Sequence, residues 1–305
     1  MNKIPLETTI AGAYRFLFTR ILSILGTLWL PLLVLAALWG GIAYLVVPHG
    51  WWQGQFPVIA DKHPDPAMIW AIFQPFAMGM PLLAITGLVL GSMMLVGLMR
   101  LSLGQTKSSY IFFSLGGDIW RLVAAYVLLY LIAIGLIAVM VGIAMAGAGV
   151  AGLFVPKGAA VALTVLLVIA AVCFFIYAMV RFSFFVPAVV VAEHRIGLGR
   201  AWQLGGGNFW RIFIVILLIV IPVAIVGGMI SNMTIMPILA SEIMRLQGKP
   251  TAADLAAFFH ALPPLIPVLL AIGVLQRIVT MGLMAGAMGS AYNAVVPRQE
   301  ETTSA

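Results

Sequence analysis

The sequence predicts an all-α integral membrane protein with six transmembrane helices. They form three tandem units, each an interfacial helix followed by a two-span hairpin, with both termini cytoplasmic. Three observations predict this. Of the 305 residues, 63% are hydrophobic and only 8% charged, against about 25% charged in an ordinary soluble domain. The apolar residues run continuously in six stretches of roughly span length, a pattern that excludes the alternation of a β-barrel. Short motifs recur at matching places ahead of those stretches. Six spans and their connections use up the chain, which leaves no room for a soluble catalytic domain.

The stretches are 21–47, 81–99, 122–147, 159–180, 212–240 and 265–295. Each crosses about 30 Å of hydrocarbon at 1.5 Å per residue. The first is too long for the apolar core of a cleaved signal peptide and reads as a signal anchor. Two apolar segments in the outer connections, 67–78 and 251–262, read as short helices lying on the outer leaflet, each ended by a proline. Trp51, Trp52 and Trp70 suit the outer aromatic belt. Cys173 stands alone in an apolar run, so no intrachain disulfide forms, and it reads as a small buried apolar residue.

Basic residues set the orientation. Lys3, Arg15, Arg20, Arg100, Lys107, Arg121, Arg181, Arg195, Arg200, Arg211 and Arg298 fall on one side, and Lys62, Lys157, Arg245 and Lys249 on the other. The positive-inside rule places the richer side in the cytoplasm. The net charge of +7 therefore points to anionic phospholipid headgroups as partners, not to nucleic acid.

Leu115-Gly-Gly-Asp-Ile-Trp-Arg-Leu122, ahead of the third span, resembles Leu204-Gly-Gly-Gly-Asn-Phe-Trp-Arg-Ile212 ahead of the fifth. Ala13-Tyr-Arg-Phe-Leu-Phe-Thr-Arg20 shares the aromatic and basic character ahead of the first. An offset of 186 also aligns Pro81-Leu-Leu-Ala with Pro267-Val-Leu-Leu and sets Arg277 against Gly91. The units are then about 12–99, 109–191 and 199–285, within one domain of residues 1–295, followed by a short polar cytoplasmic tail, 296–305. Segments 110–115 and 199–204 read as interfacial helices ended by their glycines. Asp118 and Asn208 fall at the N-caps of the next spans, where a side-chain oxygen accepts from free N–H groups. Trp120 and Trp210 belong at the interface, with Arg121 and Arg211 beside them toward phosphates. A phosphate-binding glycine loop is the alternative, although the usual nucleotide spacings are absent.

Chemistry-bearing residues are few. The histidines are scattered, and the one cluster, His63 with Asp61 and Asp65, reads as a solvated loop. No metal, no cofactor and no catalytic constellation is expected, so an enzyme is not. No acid lies within a span, which argues against proton coupling. Arg277, beside Gln276, falls deep in the sixth span. There it costs roughly 2.5–3.5 kcal/mol or more and needs a polar interior, a cavity or an anion. Arg181 divides the fourth apolar run from 182–192, kinked by Pro187; snorkelling or pairing with Glu193 is its plainer role. Ser231 and Asn232 in the fifth span read as an interhelical hydrogen bond. Arg277, Gln276, Arg181 and Asn232 are thus the candidate intramembrane polar or anion contacts.

Phe182-Ser-Phe-Phe-Val-Pro-Ala-Val-Val-Val-Ala-Glu193, Gly199-Arg-Ala-Trp-Gln-Leu204 and Gly207-Asn-Phe-Trp-Arg211 resemble the motif of a broad family of bacterial six-span inner-membrane proteins. That family includes the membrane domain fused to glycerophosphodiester phosphodiesterases. The close match spans about 30 residues. The resemblance implies a bacterial inner-membrane location and a role near glycerophospholipids, but no hydrolase activity, since the phosphodiesterase domain has no counterpart here. Two readings stay open. One is a non-enzymatic membrane module, a scaffold or lipid-interacting accessory that also touches another membrane protein. The other is a transporter or permease for a lipid-like or anionic solute that uses Arg277.

Overall fold

The computed structural model describes residues 3–46, 66–106, 112–154, 156–246 and 265–296. These residues form helices and connections with no strand among them. In chain order the helices are α1 (Leu6–Thr19), α2 (Ile21–Val46), α3 (Pro66–Ser102), α4 (Gly117–Phe154), α5 (Lys157–Ser183), α6 (Val186–Glu193), α7 (Leu198–Leu204), α8 (Phe209–Leu246) and α9 (Ile266–Val295). Among the described residues, six stretches are long and apolar enough to span a membrane: Ile21–Val46, Ala77–Ser102, Gly117–Gly147, Gly158–Glu193, Phe209–Pro237 and Pro267–Val295. The chain is a multi-pass membrane protein of the all-α class.

α2 packs on α3, α4 on α5 and α8 on α9, which gives three hairpins. α3 and α9 join them at the centre: α3 meets α2, α4 and α9, and α9 meets α8, α3 and α2. The segment ahead of each hairpin lies against the last helix of another hairpin. α1 packs along α9, α7 packs on α5, and Phe112 sits so close to Gly97 of α3 that a methyl there would come within 2.9 Å of its ring. Small residues make the first of these contacts possible. Gly282 and Gly286, one turn apart, let α1 approach until a Cβ on Gly286 would meet the Ala13 Cα at 3.0 Å. This is the close backbone approach that small residues four apart allow between membrane helices.

The helix at 67–78 is not separate. It is the first part of α3, which runs unbroken for 37 residues, about 55 Å at the helical rise. Pro75 and Pro81 do not stop it, because each removes a single backbone donor, and a membrane helix absorbs that loss locally. The expected helix at 110–115 also differs: 112–116 is irregular. There the Ser114 hydroxyl accepts from the Gly116 N–H at 3.3 Å, a local bond that competes with helix formation. The expected helix at 199–204 is present as α7. Of its glycines, Gly205 is still right-handed and Gly207 makes the reversal with φ 71°. Cys173 is exposed on α5, not buried, because the apolar face of a membrane helix looks outward to lipid. Segment 251–262, Trp51, Trp52 and the Asp61–His63–Asp65 cluster lie outside the described residues.

The fourth apolar run breaks at Phe184 and Phe185, not at Arg181. Pro187 explains the position: its ring excludes the carbonyl four residues back, Ser183, from helical bonding. The short α6 that follows is buried over Val186, Pro187, Ala188, Val189, Val190 and Val191. It touches α3, α4, α5, α7 and α9. Before its terminal Glu193 the helix is wholly apolar and has no face to offer water, so it is packed inside the bundle. Phe184 and Phe185, packed edge to face at 5.1 Å, stand at its tip.

Candidate functional site

Charged side chains at one end of the bundle tie α6 and its neighbours together. Asp118, with its side chain 4% exposed, takes Arg100 at 2.7 Å, Arg121 at 2.8 Å and His194 Nδ1 at 2.9 Å. Its carboxylate therefore holds three helices and loops together and does not serve as the expected N-cap; α4 already begins at Gly117. Asn208 does stand directly before α8, and its Oδ1 accepts from the Ile4 N–H at 3.0 Å. Arg211 Nη1 donates to the Ile4 carbonyl at 2.6 Å. Arg121 and Arg211 are thus engaged within the protein, while Trp120 and Trp210 are exposed. Glu193 accepts from Arg195, from Arg200 at 3.3 Å and from the Tyr292 hydroxyl at 3.2 Å.

Arg181 does not pair with Glu193. Its Nε donates to the Trp202 carbonyl at 3.1 Å and its Nη1 to the Tyr177 hydroxyl at 2.6 Å. The guanidinium lies 4.0 Å from the centre of the Trp202 ring. A cation over an aromatic face, with two of its donors bonded to Trp202 and Tyr177, pins α7 to α5. Asn232 also turns to its own helix: its Nδ2 donates to the Gly228 carbonyl at 3.0 Å, so it bridges no helices.

Arg277 is different. It lines a cavity of about 830 Å³ between α2, α3, α4 and α9, with Trp39, Gly91, Ser92, Tyr126, Tyr130, Gln276 and Thr280 among the lining residues. Gly91 lies beside the guanidinium: a Cβ there would be in ordinary contact with Nη2, at 3.7 Å. Positions aligned by the 186-residue offset thus face each other across α3 and α9. The run from Gly91 to Arg100 is about 13 Å at the helical rise, close to half of a 30 Å hydrocarbon layer. At this depth Arg277 makes no hydrogen bond or ion pair among the described residues. The Ser92 hydroxyl, buried in the same lining, also has no partner. Thr280 donates to the Gln276 carbonyl at 2.8 Å. The Gln276 side chain packs so tightly on α8 that a Cβ on Gly227 would meet its Cδ at 2.8 Å. On that side Gln276 also borders an apolar groove of about 270 Å³ between α1, α8 and α9.

The cavity reaches up α3 as far as Leu83 and down to Leu95. Below it, Leu98, Met99, Phe184 and Phe185 are fully buried. The cavity is therefore closed toward the charged end of the bundle. The Arg277 guanidinium, without a partner among the described residues, lines this space, whereas the Ser92 Oγ is shut off from it.

Sequence reasoning found Arg277 and Gln276, because a basic residue inside an apolar run is conspicuous. It missed Trp39, Gly91 as a lining residue, Ser92, Tyr126, Tyr130 and Thr280. Tyr126 and Tyr130, one turn apart on α4, were the available signal. No group of three metal-ligating side chains occurs among the described residues. Comparison with protein-family profiles, with curated proteins and with solved structures returns no match.

Proposed function

We propose that the chain is a non-enzymatic, lipid-interacting module of a bacterial inner membrane, and that its intramembrane cavity holds an anionic group against Arg277. One observation carries this reading: a mid-membrane arginine without a hydrogen bond or ion pair among the described residues lines an open space. Leaving it so would cost several kcal/mol, and an anion offsets that cost. A permease must also open the cavity at its other end, where the buried α6 closes it, so holding fits better than passing. The motif around α6 and α7 supports the inner-membrane assignment by resemblance.

The reading also includes three tandem units. Two features support the repeat: the segment ahead of each hairpin lies on the last helix of another hairpin, and Arg277 faces Gly91. The basic side, at which Arg100, Arg121, Arg200 and Arg211 gather, is the cytoplasmic one under the positive-inside rule. Single cysteines introduced in a Cys173→Ala background check this. Lys62→Cys and Lys249→Cys should label from outside intact cells, and Lys107→Cys and Arg200→Cys only after permeabilisation. Labelling of positions 62 and 107 from the same side would end the six-span topology.

The anion reading is tested with purified protein in dodecyl maltoside. Dihexanoyl phosphatidic acid should raise the melting temperature of the wild type through mass action, and dihexanoyl phosphatidylcholine should do so far less. Arg277→Gln should fold and lose the shift, while Arg277→Lys keeps part of it. An equal shift in Arg277→Gln, or none in the wild type, would overturn the reading.

A further inference from the structure

The cavity is not walled on every side, and the missing wall identifies its occupant. On α4, burial ends at Leu129: Tyr130, Leu131 and Ile134 are 63%, 59% and 63% exposed. On the facing side of α3, Leu82 and Ile85 are 52% and 60% exposed. Ile85 and Tyr130 both line the cavity and are both strongly exposed, so they form the two edges of a seam between α3 and α4. The outer halves of α4 and α5 pack mainly on each other; only 6% of either span's most apolar window is buried. In a bilayer, acyl chains fill such a seam, not water. The polar groups, Arg277, Gln276, Ser92 and Thr280, sit at the level of the lower part of α3's cavity face, while Leu83, Ile85 and Leu88 line the upper part.

We infer that the occupant is an anionic phospholipid reaching the cavity sideways from the bilayer, its phosphate against Arg277 and its chains left in the membrane through the seam between α3 and α4. This rests on the anion reading above and adds the ligand's class and its route. An aqueous anion would have to cross the apolar upper walls without compensation. A lipid keeps its chains in hydrocarbon and desolvates only its head, which Arg277 then solvates by charge-assisted hydrogen bonds. The volume, about 830 Å³, lies within the range of small-molecule sites, enough for a headgroup and not for two full chains.

The test uses the full chain in nanodiscs of equal parts palmitoyl-oleoyl phosphatidylcholine and phosphatidylglycerol. After transfer to neutral detergent, native mass spectrometry should find phosphatidylglycerol retained on the wild type. Retention should fall by about tenfold or more in Arg277→Gln, as expected for a lost charged hydrogen bond. Gly91→Leu, which fills the space beside the guanidinium, should lose it too. Gly228→Leu, at a glycine with open space around it, serves as a control for general disturbance and should retain it. A phosphatidylglycerol with a diazirine in its acyl chain should cross-link to Ile85 and Tyr130 in the wild type and not in Gly91→Leu. Stabilisation by sn-glycerol 3-phosphate without phosphatidylglycerol retention would overturn the lipid assignment and leave the anion reading standing. Equal retention in wild type and Arg277→Gln would overturn this assignment. No binding of either probe, together with no shift by dihexanoyl phosphatidic acid, would overturn both.

Discussion

Replacing Asp118 by alanine should lower thermal stability in detergent by about 3 kcal/mol, or a fall in Tm of about 5–10 °C. The carboxylate is 4% exposed and receives Arg100, Arg121 and His194. Removing it strips the partner from Arg100, whose side chain is only 27% exposed, and an unpaired, partly buried guanidinium is the costly product. Arg121 and His194, at 43% and 61% exposed, recover water, so the loss sits at the lower end of the range for a broken buried pair. Asp118→Asn keeps an acceptor oxygen and should lose clearly less. Melting followed by tryptophan fluorescence decides it. An alanine variant as stable as the wild type would mean that this network does not hold the charged end together.

Gly197→Ala should destabilise by about 1–3 kcal/mol through overpacking. A Cβ at this position would stand 2.1 Å from Val189 Cγ1, and Val189 is wholly buried in α6. A β-branched side chain on a helix has one strongly preferred rotamer, so it cannot swing away, and α6 itself must shift. The clash has one partner, which makes the prediction specific. In the double variant Gly197→Ala with Val189→Ala the two losses should fall well short of adding, as contacting positions do. Simple additivity in the melting temperatures would show that the cost arises elsewhere.

These predictions concern α6, the element least legible in the sequence. The six spans were legible because uninterrupted apolar runs of that length have few other homes. Arg277 was legible for the converse reason: one basic residue in such a run demands an explanation. Val186 to Val191 carried no comparable signal. An apolar hexapeptide reads as the tail of a span, and only the packing of five other helices around it shows it to be a central plug. Ser92, Tyr126, Trp39 and Thr280 stayed hidden because the cavity draws them from four helices far apart in sequence. Asp118 was read as a cap from its place beside Gly117. Its real partners, Arg100 and His194, come from other connections, and local rules do not see across them. Residues 110–115 were read as a helix by analogy with 199–204. The Ser114 bond to Gly116 has no equivalent at the second site.

Arg277 lines an open intramembrane cavity, and an anion held there is the occupant we propose. The most direct measurement is an experimental map at side-chain resolution, obtained in nanodiscs that contain phosphatidylglycerol. Headgroup density is expected within hydrogen-bond reach of the Arg277 guanidinium, with chain density leaving between Ile85 and Tyr130. A guanidinium paired with a side chain of its own protein, or lying bare against acyl chains with the cavity collapsed, would contradict it.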